Sequence, residues 1–412
     1  MRTSQLLILG NGFDLHCGLK SSYKDFFQST ILDTIGEHYG SRQMKAGVSG
    51  FWETLLFGYY KIHNGNTDYN WCDIETIIKD TILTIDSIDF KLNALGIVRQ
   101  GKDSKYAITI TNDPIAEFLY QYCIPIYYSF FQNKTYSDNK LHSLLINHIL
   151  QELHAFERRF CKYIYDQLNE KENDDSYIIN AINLLKVLTG FTDKQYKSID
   201  DIIERQEKSY WKQLSSMTSI LEKKEIHVLS QEFANLRVVN VLSFNYTALF
   251  DILQVNSPCL YNNVHGKLCM HQCAENCTDC NIIFGIDDTV IQSQNEDSGL
   301  YQFSKTYRKM LNSNAGTHVL PSKDNQLIEI KFYGHSLNEA DYSYFQSIFD
   351  YYNLYENNNV SLIFYYSKGY EQTDKIYRLI NTYGKTLSNK DQGKNLTHKL
   401  LLENRLKIVE IP

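Results

Sequence analysis

Short apolar runs bounded by small residues recur at both ends of the chain, whereas its middle carries apolar residues at intervals of three and four. Gln5 to Leu9 (QLLIL) reads as a strand, followed by Gly10-Asn11-Gly12 and a helix-like segment from near Ser21. The same grammar returns in Arg237 to Phe244 (RVVNVLSF) ahead of a helix over Thr247 to Leu253, and in Ile328 to Tyr333 (IEIKFY) ahead of Glu339 to Leu354. It appears again in Val360 to Tyr366 (VSLIFYY) ahead of Glu371 to Asn381; Asn281 to Ile286 and Leu406 to Ile411 read as further strands. Apolar strands alternating with helices predict an α/β fold, a Rossmann-like parallel sheet covered on both faces.

The middle has another period. Leu145, Ile149, Leu153, Phe156, Phe160, Ile164 and Leu168 mark one stripe of a long helix, and Asp103, Ser104, Asp113, Pro114 and Glu170 to Asp175 read as turns. The expected organisation is a discontinuous sheet domain, residues 1–50 and 236–412, interrupted by a large, mainly helical insertion over residues 51–235. Ligands of such open sheets bind where loops meet at the carboxyl ends of the strands.

Composition narrows the class. With 412 residues, 43% hydrophobic and 22% charged, the chain is expected to form one large or two intimate folded domains rather than a disordered or fibrous protein. A net charge of −7 is the wrong sign for a chain whose main partner is a nucleic acid, while a small anionic ligand remains compatible. No run reaches the roughly 18 apolar residues of a membrane span, and the opening apolar run is too short for a signal-peptide core, so no membrane partner and a cytoplasmic location are expected. There the nine cysteines are thiols or metal ligands rather than disulfides.

Four segments could carry chemistry. Gly10-Asn11-Gly12-Phe13-Asp14 follows the first strand, where absent side chains let backbone N–H groups approach a diphosphate, or simply make a tight turn. Ser243-Phe244-Asn245-Tyr246-Thr247 ends a strand with an Asn that caps a helix or serves a site. Val264-His265-Gly266 delivers a His that is either structural or catalytic. In Gly334-His335-Ser336-Leu337, Ser336 either hydrogen-bonds a ribose or phosphate or caps a helix near Asn338. Asp73 and Glu75, after Trp71, form either a solvated helix start or a pair of which Glu75 reaches the cleft to position a basic or hydroxyl group. Cys269, Cys273, Cys277 and Cys280, with His271, are enough for a tetrahedral structural zinc, although spacings of three, three and two fit a reduced cysteine-rich hairpin as well.

In order, these segments resemble the sirtuin-like nucleotide-binding fold: a glycine-rich first loop, a strand-end Asn, a His-Gly pair and a later Gly-x-Ser-Leu turn. More closely, the whole chain resembles the AbiH family of bacteriophage abortive-infection proteins. The likeness rests on Leu7 to Leu15 with Ser22-Tyr23-Lys24-Asp25-Phe26, on Trp71, Asp73 and Glu75, and on the later segments, including Phe284-Gly285-Ile286-Asp287-Asp288. This resemblance implies a defence protein with a sirtuin-type sheet that binds NAD or a related nucleotide and, with NAD, hydrolyses the nicotinamide–ribose bond. Asn245 would then orient the water or ribose and His265 accept a proton, while Gly10, Asn11, Gly12, Phe13, Asp14, Ser243, Gly334, His335 and Ser336 line the nucleotide. By the same analogy a zinc module follows the His-Gly pair. Two other classes remain open: a non-catalytic nucleotide sensor that acts through a regulatory protein or a second copy of the chain (a homo-oligomer), and a metal-dependent nuclease using Asp73, Asp287 and Asp288.

Overall fold

In the first strand, β1 (Thr3–Leu9), every residue from Ser4 onward is buried, so both faces of the strand must be covered. Because successive side chains point to opposite faces, Leu6 and Ile8 enter one apolar core and Leu7 and Leu9 the other. The computed structural model of the chain describes residues 3–27, 50–53, 55, 74–87, 119, 122–126, 129, 137–170, 176–190, 239–248, 260–269, 281–287, 299–311, 318–323, 327–338, 341–389 and 393–411.

The other strands are β2 (Val239–Ser243), β3 (Tyr261–Asn263), β4 (Leu327–Tyr333), β5 (Val360–Ser367) and β6 (Leu406–Ile411). All pair in parallel, in the order β3-β2-β1-β4-β5-β6. The strand order therefore reverses between β1 and β4, which opens a crevice at their carboxyl ends where dinucleotides bind in doubly wound sheets.

The helices are α1 (Gly12–His16), α2 (Tyr23–Phe27), α3 (Ile74–Asp86), α4 (Asp138–Glu170), α5 (Ser176–Thr189), α6 (Lys305–Leu311), α7 (Tyr342–Tyr351), α8 (Thr373–Gly384) and α9 (Leu396–Leu402). The stripe predicted along the middle is the buried face of the 33-residue α4, and it packs with α3, α5, Leu7 and Leu9 in one core. α7, α8 and α9 cover the opposite face. Helix α5 is tied at its carboxyl end by two strands. Gln5 Nε2 and Lys331 Nζ, from β1 and β4, each donate at 3.0 Å to the carbonyls of Thr189 and Leu188, groups that a helix end leaves without intrahelical partners.

Two expectations about elements need correction. Asn281 to Ile286 is no strand of the sheet: its amides are spent elsewhere, Ile283 N on His265 O and Phe284 N on the Glu157 carboxylate, and Ile286 makes only an isolated bridge to Ser304. The helix expected from Glu339 begins at Tyr342, after a turn in which Leu337 adopts a left-handed φ of 55°.

Candidate functional site

The crevice between β1 and β4 is lined by two loops in backbone contact. Gly10 N donates to Tyr333 O at 3.0 Å and Gly12 N to Gly334 O at 2.8 Å. A Cβ on Gly10 would stand 2.4 Å from His335 Cα, and one on Gly12 2.7 Å from Gly334 Cα, so both glycines are required by close approach of two chains. The two N–H groups nominated for a diphosphate thus already have carbonyl partners. Asn11 is held by Ser21, whose Oγ donates to Asn11 Oδ1 at 2.6 Å, and Phe13 is wholly buried edge-on to Tyr333.

Asp14 turns inward. It accepts the Tyr177 hydroxyl at 2.7 Å and the Thr247 hydroxyl at 2.9 Å, so α5 and the end of β2 meet on its carboxylate. Burial raises its pKa to about 6 against the pull of those two donors.

The end of β2 supplies the strand-end Asn. Asn245 is 3% exposed, and its Oδ1 accepts no hydrogen bond among the described residues. It is therefore no helix cap. Its backbone is fixed instead: Asn263 Nδ2 donates to the carbonyls of Asn245 and Thr247, and Asn245 N reaches Ser243 Oγ at 3.2 Å. Val264 N donates to Ser243 O at 2.7 Å, which brings the His-Gly turn against the end of β2. The flanking rings of Phe244 and Tyr246 lie 5.3 Å and 6.5 Å from the His265 ring.

His265 and His335 meet on a residue that sequence reasoning missed, Asp341, at the start of α7. His265 Nε2 is 3.0 Å from Asp341 Oδ1, outside hydrogen-bonding alignment, and His335 Nε2 is 3.2 Å from Oδ2. His335 Nδ1 accepts the Leu337 N–H at 2.9 Å, so Nε2 carries a ring proton and faces the carboxylate. The second missed residue is Lys305, the first of α6, whose ammonium lies 2.8 Å from Asp341 Oδ1 and 2.6 Å from Glu75 Oε1. Glu75, on α3, therefore reaches a basic group of the sheet side. Phe244 covers the network, 4.5 Å from the His335 ring, and shields it from water.

The electrostatics follow from burial and pairing. Burial depresses the His265 pKa to about 4, helped by the Lys305 charge, so the imidazole is neutral at pH 7. Burial alone would raise Asp341, but Lys305 and His265 hold it well below the usual carboxylate range. Burial works against a charged Lys305, and Asp341 and Glu75 outweigh it. A neutral imidazole can take up a proton from a bound hydroxyl or water, and a buried amide oxygen with no described partner can accept a hydrogen bond from one.

Ser336 is exposed on the loop after β4, and with the helix starting at Tyr342 it caps nothing there. Ser343 Oγ donates to Asp287 Oδ2 at 2.5 Å. Trp71, Asp73, His271, Cys273, Cys277, Cys280 and Asp288 lie outside the described residues; Cys269 is buried. Among the described residues no group of three or more His, Cys, Asp or Glu is arranged to hold a metal, and no helix is long and apolar enough to cross a membrane.

Neither the curated proteins nor the solved structures contain a match to the chain. The family model described as "Bacteriophage abortive infection AbiH" matches residues 6–366, and the chain belongs to that family.

Proposed function

We propose that the chain serves phage abortive infection by binding NAD in the crevice between β1 and β4 and hydrolysing its nicotinamide–ribose bond through a site of sirtuin type. The family supports the defence role. The observation that carries the chemical reading is the buried Oδ1 of Asn245, which accepts no hydrogen bond among the described residues, at the carboxyl end of a strand against which the Val264 N–Ser243 O bond holds the turn bearing a neutral His265, in a sheet ordered β3-β2-β1-β4-β5-β6.

Breaking the glycosidic bond sends its electron pair to the nicotinamide nitrogen, which leaves neutral, while positive charge develops on the ribose. Water adds to that carbon and its proton passes to His265, so that NAD and water give ADP-ribose, nicotinamide and a proton. Asn245 Oδ1 orients the water or a ribose hydroxyl, and Phe244 limits access of other waters. Ser336, exposed on the loop after β4, is free to hydrogen-bond a ribose or phosphate of the nucleotide in this reading.

The test is total NAD in bacteria expressing the wild type or Asn245→Ala, with and without phage challenge. NAD should fall only in challenged wild-type cells, with Asn245→Ala lowering the loss by 10²-fold or more, on the order expected for removing one positioning group. Unchanged NAD during effective defence would refute the hydrolase reading.

A further inference from the structure

Lys305 is a nearly fully buried ammonium, and neither the motifs nor the resemblance points to it. Its surroundings define what it does. Asp341 Oδ1 has two cation-capable neighbours, Lys305 Nζ at 2.8 Å in good alignment and His265 Nε2 at 3.0 Å out of alignment. One oxygen thus faces two competing groups, and the lysine has the hydrogen bond. Glu75 Oε1, 2.6 Å away on α3, holds the ammonium from the other side.

We propose that Lys305 is a positioning residue for His265: clamped between Glu75 and Asp341, it occupies the carboxylate oxygen that the imidazole would otherwise pair with, and so keeps His265 in its neutral, proton-accepting form. The inference rests on reading His265 as the proton acceptor of the site. It also gives the helical middle of the chain a chemical part, because the anchor Glu75 comes from there.

The groups around His265 support the direction. Lys305 and Asp341 face it most closely, His335 shares the carboxylate, Tyr344 on α7 stands 6.0 Å away ring to ring, and Tyr246 stands 6.5 Å away with its hydroxyl on Tyr23. The Tyr246 proton is held more firmly than usual by burial and by Glu75, so this hydroxyl stays neutral. With Lys305 gone, Asp341 would remain a buried carboxylate in need of a cation, and His265 is within reach to become one.

The test reads the His265 imidazole directly by NMR of the full chain labelled at histidine Cε1, without substrate, the signal being assigned by its loss in His265→Gln. The wild-type midpoint should lie near pH 4. In Lys305→Met it should rise above the ordinary histidine value of 6.5. The double variant Glu75→Gln/Lys305→Met removes one charge of each sign, which protects folding, and should show the same rise; Lys305→Arg should keep the midpoint low. A wild-type-like midpoint in the folded double variant, or a rise in Lys305→Arg as large as in Lys305→Met, would overturn the proposal. If the chain hydrolyses NAD, the acid limb of kcat/KM should follow the same shift. Should no hydrolysis occur at all, the imidazole titration still decides the role of Lys305 separately.

Discussion

Replacing Asp14 by Asn should make the protein more stable at neutral and alkaline pH. The carboxyl is 1% exposed, and its pKa is raised to about 6 from 3.8 chiefly by burial. A folded-state pKa above the unfolded value means that the unfolded chain gives up this proton first. Raising the pH through that interval therefore favours unfolding, by about 3 kcal/mol once both states are ionised. Asn carries no charge to desolvate. Its Oδ1 can accept the Tyr177 hydroxyl, and its amide can donate to a rotated Thr247 hydroxyl, so both contacts survive. The expected difference between variant and wild type is near zero at pH 4 and rises to about 3 kcal/mol at pH 8. Taken with the usual entropy of unfolding per residue, this is about 3–4 °C in Tm for a chain of this length. The assay is thermal unfolding of both proteins from pH 4 to 8, in which the titrations they share cancel. A difference that does not change with pH, or a variant less stable at every pH, would refute the reasoning.

Glu157→Ala should cost about 3–5 kcal/mol, because it strands a buried Arg308 whose two terminal nitrogens both bind that carboxylate at 2.6 Å; denaturant unfolding checks it. Although burial opposes its charge, Arg308 keeps the Glu157 pKa below 4.5, so this stability is present above that pH and is lost on acidification. Gly10→Ala should cost about 1–3 kcal/mol and disturb the crevice, since the added methyl meets the backbone of His335 at 2.4 Å; soluble yield and Tm report it.

Most of the sheet was legible because strands covered on both faces carry continuous apolar runs, as LLIL in β1 and LIF in β5 do. β3 escaped because Tyr-Asn-Asn is short and polar, and only its place beside β2 makes it a strand. The site divided in the same way. Asn245, His265 and His335 stand beside glycines and strand ends, where spacing signals a turn. Lys305 and Asp341 are single charges in polar surroundings, which read as solvated surface until α6 and α7 fold over β2 and β4. Glu75 lay between these cases, in that its two alternatives could be separated only by the 2.6 Å contact with Lys305. For Gly10 and Gly12 the sequence indicated the need for a small residue but not its cause, the approach of the β4 loop.

The place of β1 in the sheet has a consequence for synthesis. β1, made before its two neighbours, lies between β2 and β4, with Leu9 beside Ser243 on one side and Tyr333 on the other. A ribosome must add roughly 300 residues after β1 before both neighbours exist, which at about 5–20 residues per second takes on the order of tens of seconds. Throughout that interval the glycine loop lacks the carbonyls of Tyr333 and Gly334, and His265 lacks Asp341. A nascent chain that stops short of Asp341 thus lacks both the joined loops and the His265–Asp341 pair, so the ordering of strands by itself delays assembly of the crevice.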